Sequence, residues 1–225
     1  MHFICISELQ SMATDGVLSL ASATAPTWCS AFGDPYPMPV RDERVLLSSH
    51  ISRGFSLPPS AFLIEILGHY GLQLHNITPN SLLHISGFVA LFEGYLGLAP
   101  RLDFFQRCFL VKRQTVNKEL LVVGSISFNC RRDIDWYPQV PIVDSAKGWA
   151  STFFYCNDVA PPNRLQGLAS FTDEAGTPLP SWKKKPSAKM PADLATIQAR
   201  IMELTSGSPP LTGEDTIICW IKRRI

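Results

Sequence analysis

Between residues 45 and 109, apolar side chains recur every three or four positions, the spacing of helices that bury one stripe and leave the rest wet. The clearest helix opens at Thr78, whose hydroxyl can accept from an unpaired N–H of the first turn. Pro79 follows at the first helical position, and Leu82, Ile85, Val89, Phe92 and Leu96 share a face before Gly97. Pro58-Pro59-Ser60 opens another, with Phe62, Leu63, Ile66, Leu67 and Tyr70 inward and Gly71 as a left-handed stop. A third starts at Pro100 and turns Leu102, Phe105 and Phe109 inward, with Phe104 and Cys108 beside them and Arg101, Gln106 and Lys112 outward. A short helix over 45–54 ends at Gly54. Four adjacent short helices predict a bundle.

The period then changes. Leu120 to Val123 and Ser125 to Phe128 alternate and are partly β-branched, with Gly124 between them as a bulge or turn, and Thr152 to Cys156 supplies a third strand. Further on, Leu194, Ile197, Ile201 and Leu204 return to helical spacing, and Thr212-Gly213-Glu214-Asp215 has the form of a capping box opening a last helix. Two such helices are too little chain to bury a core by themselves. Prolines divide the rest: Pro35, Pro37 and Pro39 close a leader, 1–40, expected to be poorly ordered. Pro161, Pro162, Pro178, Pro180 and Pro186 mark a linker, 158–190, around Lys183-Lys184-Lys185. The predicted class is α+β, mainly helical: an N-terminal helical bundle with a small β element over 41–157, and a C-terminal helical pair over 191–225.

Composition narrows the function classes. With 46% hydrophobic and 17% charged residues the chain can bury a core, and a net charge of +1 gives no global field toward nucleic acid or an anionic membrane. Cys5, Cys29, Cys108, Cys130, Cys156 and Cys219 are scattered, no Cys-x-x-Cys pair exists, and several lie in apolar runs, so reduced, mostly buried thiols are expected and zinc knuckles are excluded. Glu8 and Asp15 interrupt the only signal-like run, and Glu65, Glu93 and Asp103 break the other apolar stretches short of a membrane span. The expectation is a soluble intracellular protein of nucleus or cytoplasm with no membrane contact.

Catalytic constellations are not legible. Asp103, Asp133, Asp135 and Asp144 do not form an integrase-like set, and Asp133 and Asp135 beside Arg131 and Arg132 form a charged turn. His50, His69, His75 and His84 accompany no nucleophile motif and are expected on helix surfaces. Gly94-Tyr95-Leu96-Gly97 lacks the Lys-Ser/Thr of a phosphate loop. The expectation is no enzyme, no catalytic residue, no metal, no cofactor and no small-molecule substrate. Two patches join cations to a stacking ring, as single-strand binders do: Trp182 with Lys183, Lys184 and Lys185, and Trp220 with Lys222, Arg223 and Arg224. Both also have ordinary readings, a solvated linker tract and a core tryptophan.

Several blocks carry a family resemblance. In order they are Ser49-His50-Ile51-Ser52-Arg53-Gly54-Phe55-Ser56-Leu57-Pro58; Gly71-Leu72-Gln73-Leu74-His75; and the stretch 85–114, ISGFVALFEGYLGLAPRLDFFQRCFLVKRQ. Val143-Asp144-Ser145-Ala146-Lys147-Gly148-Trp149 with Phe153-Phe154-Tyr155 follows, then Leu211-Thr212-Gly213-Glu214-Asp215 with Trp220-Ile221-Lys222-Arg223-Arg224. Over residues 40 to 225 the chain resembles the putative gypsy-type transposon domain found in retroelement-derived reading frames of plants, especially grasses. The resemblance implies a gag-like or accessory product and carries no catalytic residues. Its last motif normally runs on beyond the position of Ile225, so a truncated copy is expected. The role that follows is non-enzymatic, structural or interactive, with self-association as the partner mode; the alternative is a nucleic-acid-binding accessory protein using the two basic patches.

Overall fold

In the computed structural model, which describes residues 4–14, 18, 27–31, 33–40, 42–116, 119–142, 148–157, 165–176, 182, 186–187 and 189–223, the helix opened by Thr78 is the axis of the fold. This helix, Pro79–Ala90, starts as its sequence dictates: Thr78 Oγ1 accepts from Ser81 N, and proline occupies the first turn. Its wall is not a single stripe. Ser81, His84, Ser86 and Gly87 are buried along with Leu82, Ile85, Phe88 and Val89, because other elements pack on every side.

In chain order the described elements are α1 (Ile6–Thr14), β1 (Thr27–Ser30), β2 (Arg44–Leu47), α2 (Ser48–Ser52), α3 (Ala61–Tyr70), α4 (Pro79–Ala90), α5 (Leu102–Cys108), β3 (Phe109–Arg113), β4 (Thr115–Val116), β5 (Glu119–Leu120), β6 (Ile126–Cys130), β7 (Phe153–Asn157), α6 (Ala192–Thr205) and α7 (Gly213–Lys222). The class is α+β, mainly helical. From α4 the chain continues as a π-helical turn, Leu91–Leu96, ended by Gly97 at φ 65°; Gly71 closes α3 at φ 61°. The terminal helices form where expected, and Thr212 with Asp215 makes a reciprocal capping box at the start of α7.

The core is an aromatic cluster around α4. Phe88 stacks on Phe62 at 5.3 Å and on Phe92 at 4.5 Å, and meets Phe105 edge-on at 5.2 Å. Each such pair contributes about 0.5–1.5 kcal/mol beyond area burial. Leu194, Ile197 and Ile201 of α6 belong to the same core, so the C-terminal pair is not a separate unit.

Residues 44–47 form a strand, and the expected helix over 45–54 shrinks to α2. Leu46 faces the main core and Val45 and Leu47 the opposite side, so an unbroken apolar run sits in a sheet buried on both faces. Helix α5 ends at Cys108; Phe109 still faces the core, but from β3, which pairs antiparallel with β6. Thr27–Ser30 of the expected leader joins the sheet. Central strand β7 pairs antiparallel with β1 on one side and β2 on the other, Trp28 opposite Cys156 and Leu46 opposite Phe154. Ile4 and Leu9 reach the main core, and Ala31 joins a small second cluster with Val45, Leu47, Phe153 and Tyr155.

The expected strand over 120–123 reduces to the two-residue β5 opposite β4, and Gly124 turns the chain into β6 at φ 74°. In the proline-rich stretch, Leu165 and Leu168 are buried. Gln73 and Asn76, just after α3, bind Thr172 and the Glu174 carbonyl.

Candidate functional site

Helix α7 lies along α4 and the π-helical turn, and glycines make the close approach possible. A Cβ on Gly87 would stand 2.7 Å from Val140 Cγ2 and 3.2 Å from Thr216 Oγ1, and one on Gly94 would stand 2.7 Å from Cys219 Sγ. At the start of the helix a Cβ on Gly213 would collide with the Gln139 carbonyl. Two hydrogen bonds lock the helix in place: Tyr95 Oη donates to Asp215 O at 3.1 Å, and Trp220 Nε1 donates to Gly54 O at 2.9 Å.

That seating opens a surface cleft of about 420 Å³. One wall is the loop before α3, with Ser56, Leu57, Pro58 and Ser60; the other is Glu93 from the π-helical turn with Trp220 and Arg223 from α7. Ser60 is the N-cap of α3, so its Oγ accepts from Leu63 N at 3.2 Å and keeps its own proton to donate outward. Arg223 donates to Glu93 Oε2 at 3.2 Å, with the two side chains 45% and 42% exposed. An ion pair so wetted is worth at most about 1 kcal/mol.

Of the residues singled out in the sequence, the structure therefore brings Trp220 and Arg223 to one cleft, with exposed Lys222 on the adjoining turn. Trp182 is elsewhere. Its indole donates to Tyr70 O at 3.0 Å and sits edge-on to the Tyr70 ring, at the far end of α3 from Ser60, about 15 Å along the helix axis. Lys183, Lys184, Lys185 and Arg224 lie outside the described residues, as does Asp144. Sequence reasoning missed Glu93 and Ser56, which have no motif of their own; Ser60 was legible only as a helix start.

The histidines expected on helix surfaces are corrected in three of four cases. His50, His75 and His84 are buried, and burial pushes them down to about 3, about 4 and about 4. His50 Nε2 donates to Ile77 O at 3.0 Å, while His50 Nδ1, His75 Nε2 and His84 Nδ1 have no hydrogen-bond partner among the described residues. His69 remains half-buried beside Gln106 at 2.9 Å. These rings are neutral packing groups against Trp149, Phe171 and Phe109. Asp103 is engaged by Arg101 at 2.6 Å, and Arg101 also holds Asp193. All six cysteines are free thiols, with Cys108 and Cys156 buried and Cys29 exposed. Among the described residues no His, Cys, Asp or Glu group is arranged to hold a metal, and no helix is long and apolar enough to cross a membrane.

No curated protein and no solved structure matches the chain. A family model matches residues 45–113, from β2 through β3, the segment that contributes α4 and most of the aromatic cluster around it. Over that segment, under a third of its length, the chain is similar to the family described as putative gypsy type transposon.

Proposed function

We propose that this retrotransposon-derived protein is a non-enzymatic interaction module that self-associates through the outer face of α7. One observation carries the reading. Thr216 and Trp220 turn inward, while Glu214, Ile218, Ile221 and Lys222 form a single stripe on the opposite side at helical spacing. Ile218 is 43% and Ile221 50% exposed, on a helix whose other face is fixed.

The stripe is self-complementary. When two copies of α7 pair antiparallel about a two-fold axis at Ile218, the two Ile218 side chains meet there with Ile221 one turn away, and Glu214 of each copy faces Lys222 of the other. A net charge of +1 offers no overall repulsion to the pairing.

Sedimentation over a concentration series tests the proposal. A monomer–dimer equilibrium is expected, abolished by Ile218→Lys with Ile221→Lys while far-UV circular dichroism stays unchanged. Glu214→Lys should weaken the dimer, and adding Lys222→Glu should restore it. A monomer at every concentration, or a dimer indifferent to these changes, refutes the reading.

A further inference from the structure

We infer that the cleft between the 56–60 loop and α7 takes one nucleotide unit of a single-stranded nucleic acid, with its base between Pro58 and Trp220 and its phosphate on Arg223. This goes beyond self-association and is separable from it, because Ile218 and Ile221 lie on the opposite side of α7.

About 420 Å³ falls within the ~300–1,000 Å³ of small-ligand sites, where an apolar lining is joined by a few placed polar groups. The apolar part here is Leu57, Pro58 and the ring of Trp220. Because the Trp220 indole N–H is committed to Gly54 O at 2.9 Å, the ring is held without an added ordering cost when a base stacks on it. The polar part is a guanidinium and two hydroxyls, Ser56 and Ser60, all able to donate to phosphate or sugar oxygens.

Glu93 decides the character of the site. Its carboxylate occupies the donor edge of Arg223 at 3.2 Å, where a phosphate oxygen would bind, and so acts as an internal competitor. Exchange is inexpensive, since the pair is close to half-exposed and weakly held. A phosphate must displace it against like charge, which makes binding weak and salt-sensitive, the behaviour of a non-sequence-specific strand binder rather than of a tight nucleotide site. The readings the cleft disfavours follow from the same groups: a duplex does not offer an unstacked base to the ring, and an acidic peptide has no planar group for it.

Fluorescence anisotropy with a labelled oligothymidylate of about eight nucleotides, within the site sizes of single-strand binders, provides the test. Binding is expected at low salt. Glu93→Gln should tighten it several-fold, and Arg223→Gln should weaken it about tenfold and flatten the log K against log salt slope by about 0.7, the increment of one phosphate contact. The Trp220 indole N–H resonance should shift on titration with the oligonucleotide. Both substituted side chains are near half-exposed, so thermal melts should confirm that each variant stays folded. The inference fails if no binding occurs even for Glu93→Gln. It also fails if affinity and salt slope ignore both changes, or if duplex or an acidic peptide shifts the same resonance as strongly.

Discussion

At Gly54 the backbone stands at φ 105°, a conformation that a side chain makes costly, and an added Cβ would collide with Ser86 Oγ and approach Trp220 Nε1 to 2.9 Å. Gly54→Ala should therefore cost about 1–3 kcal/mol through strain and also loosen the α7 anchor. A urea titration measures the first effect, and a shift of the Trp220 indole N–H resonance the second; a neutral substitution would mean that α7 is not held there. At this scale the sequence was most legible where chemistry is local. Thr78 with Pro79, Gly71, Gly97 and the Thr212–Asp215 box each act within one helical turn, so their roles follow from neighbours along the chain. His50, His75 and His84 were not legible, because burial is set by Trp149, Phe171 and Phe109 arriving from far along the chain. Glu93 was opaque for the same reason: its partner Arg223 is 130 positions away.

Elements were legible where an apolar period or a cap announced them, and the nine-residue α1, in the stretch expected to be poorly ordered, was missed. The helices over 61–70, 79–90, 192–205 and 213–222 each repeat apolar residues at helical spacing over several turns, whereas Val45-Leu46-Leu47 is a short apolar run that fits helix and buried strand equally well. Pairing decided it: β7 has two open edges, and Arg44–Leu47 fills one while Thr27–Ser30, in a segment that looked like a leader, fills the other. The prolines at 35, 37 and 39 only separate these two strands. Deleting residues 1–31 should thus bare one edge of β7 and the Phe154 ring against which Trp28 packs at 5.7 Å. Burial of Ile4 and Leu9 alone is worth roughly 3–6 kcal/mol at 1.5–3 kcal/mol per fully buried side chain, so the truncated protein should melt well below the full chain and aggregate on light scattering. An unchanged melting temperature would return those residues to the status of an appendage.

For the whole molecule, apolar stripes and buried imidazoles draw the same consequence: the fold holds its polar groups neutral inside, and acid attacks it there. His50, His75 and His84 lie at about 3, 4 and 4 in the folded chain against about 6.5 when unfolded. Below 6.5 the unfolded chain takes up protons that the native state refuses, so stability is full above that pH and is lost as pH falls toward 4. The effect is about 2 kcal/mol per histidine at pH 5, about 6 kcal/mol for three, comparable with the ~5–15 kcal/mol that holds a domain together. A charge on His75 would oppose one on His50, which adds to the burial that keeps His50 neutral in the folded chain. The carboxylates of Asp193 and Asp215 are held below their ordinary range by Arg101 and by Thr212, so their titration falls beneath this window. Urea midpoints should drop steeply between pH 7 and 5, and His84→Leu, which keeps an apolar group against Phe109, should remove about a third of that dependence. A midpoint flat over the same range would show that these rings reach water in the folded state, and with it that the interior around α4 is looser than the packing of Phe88, Phe92 and Phe105 implies.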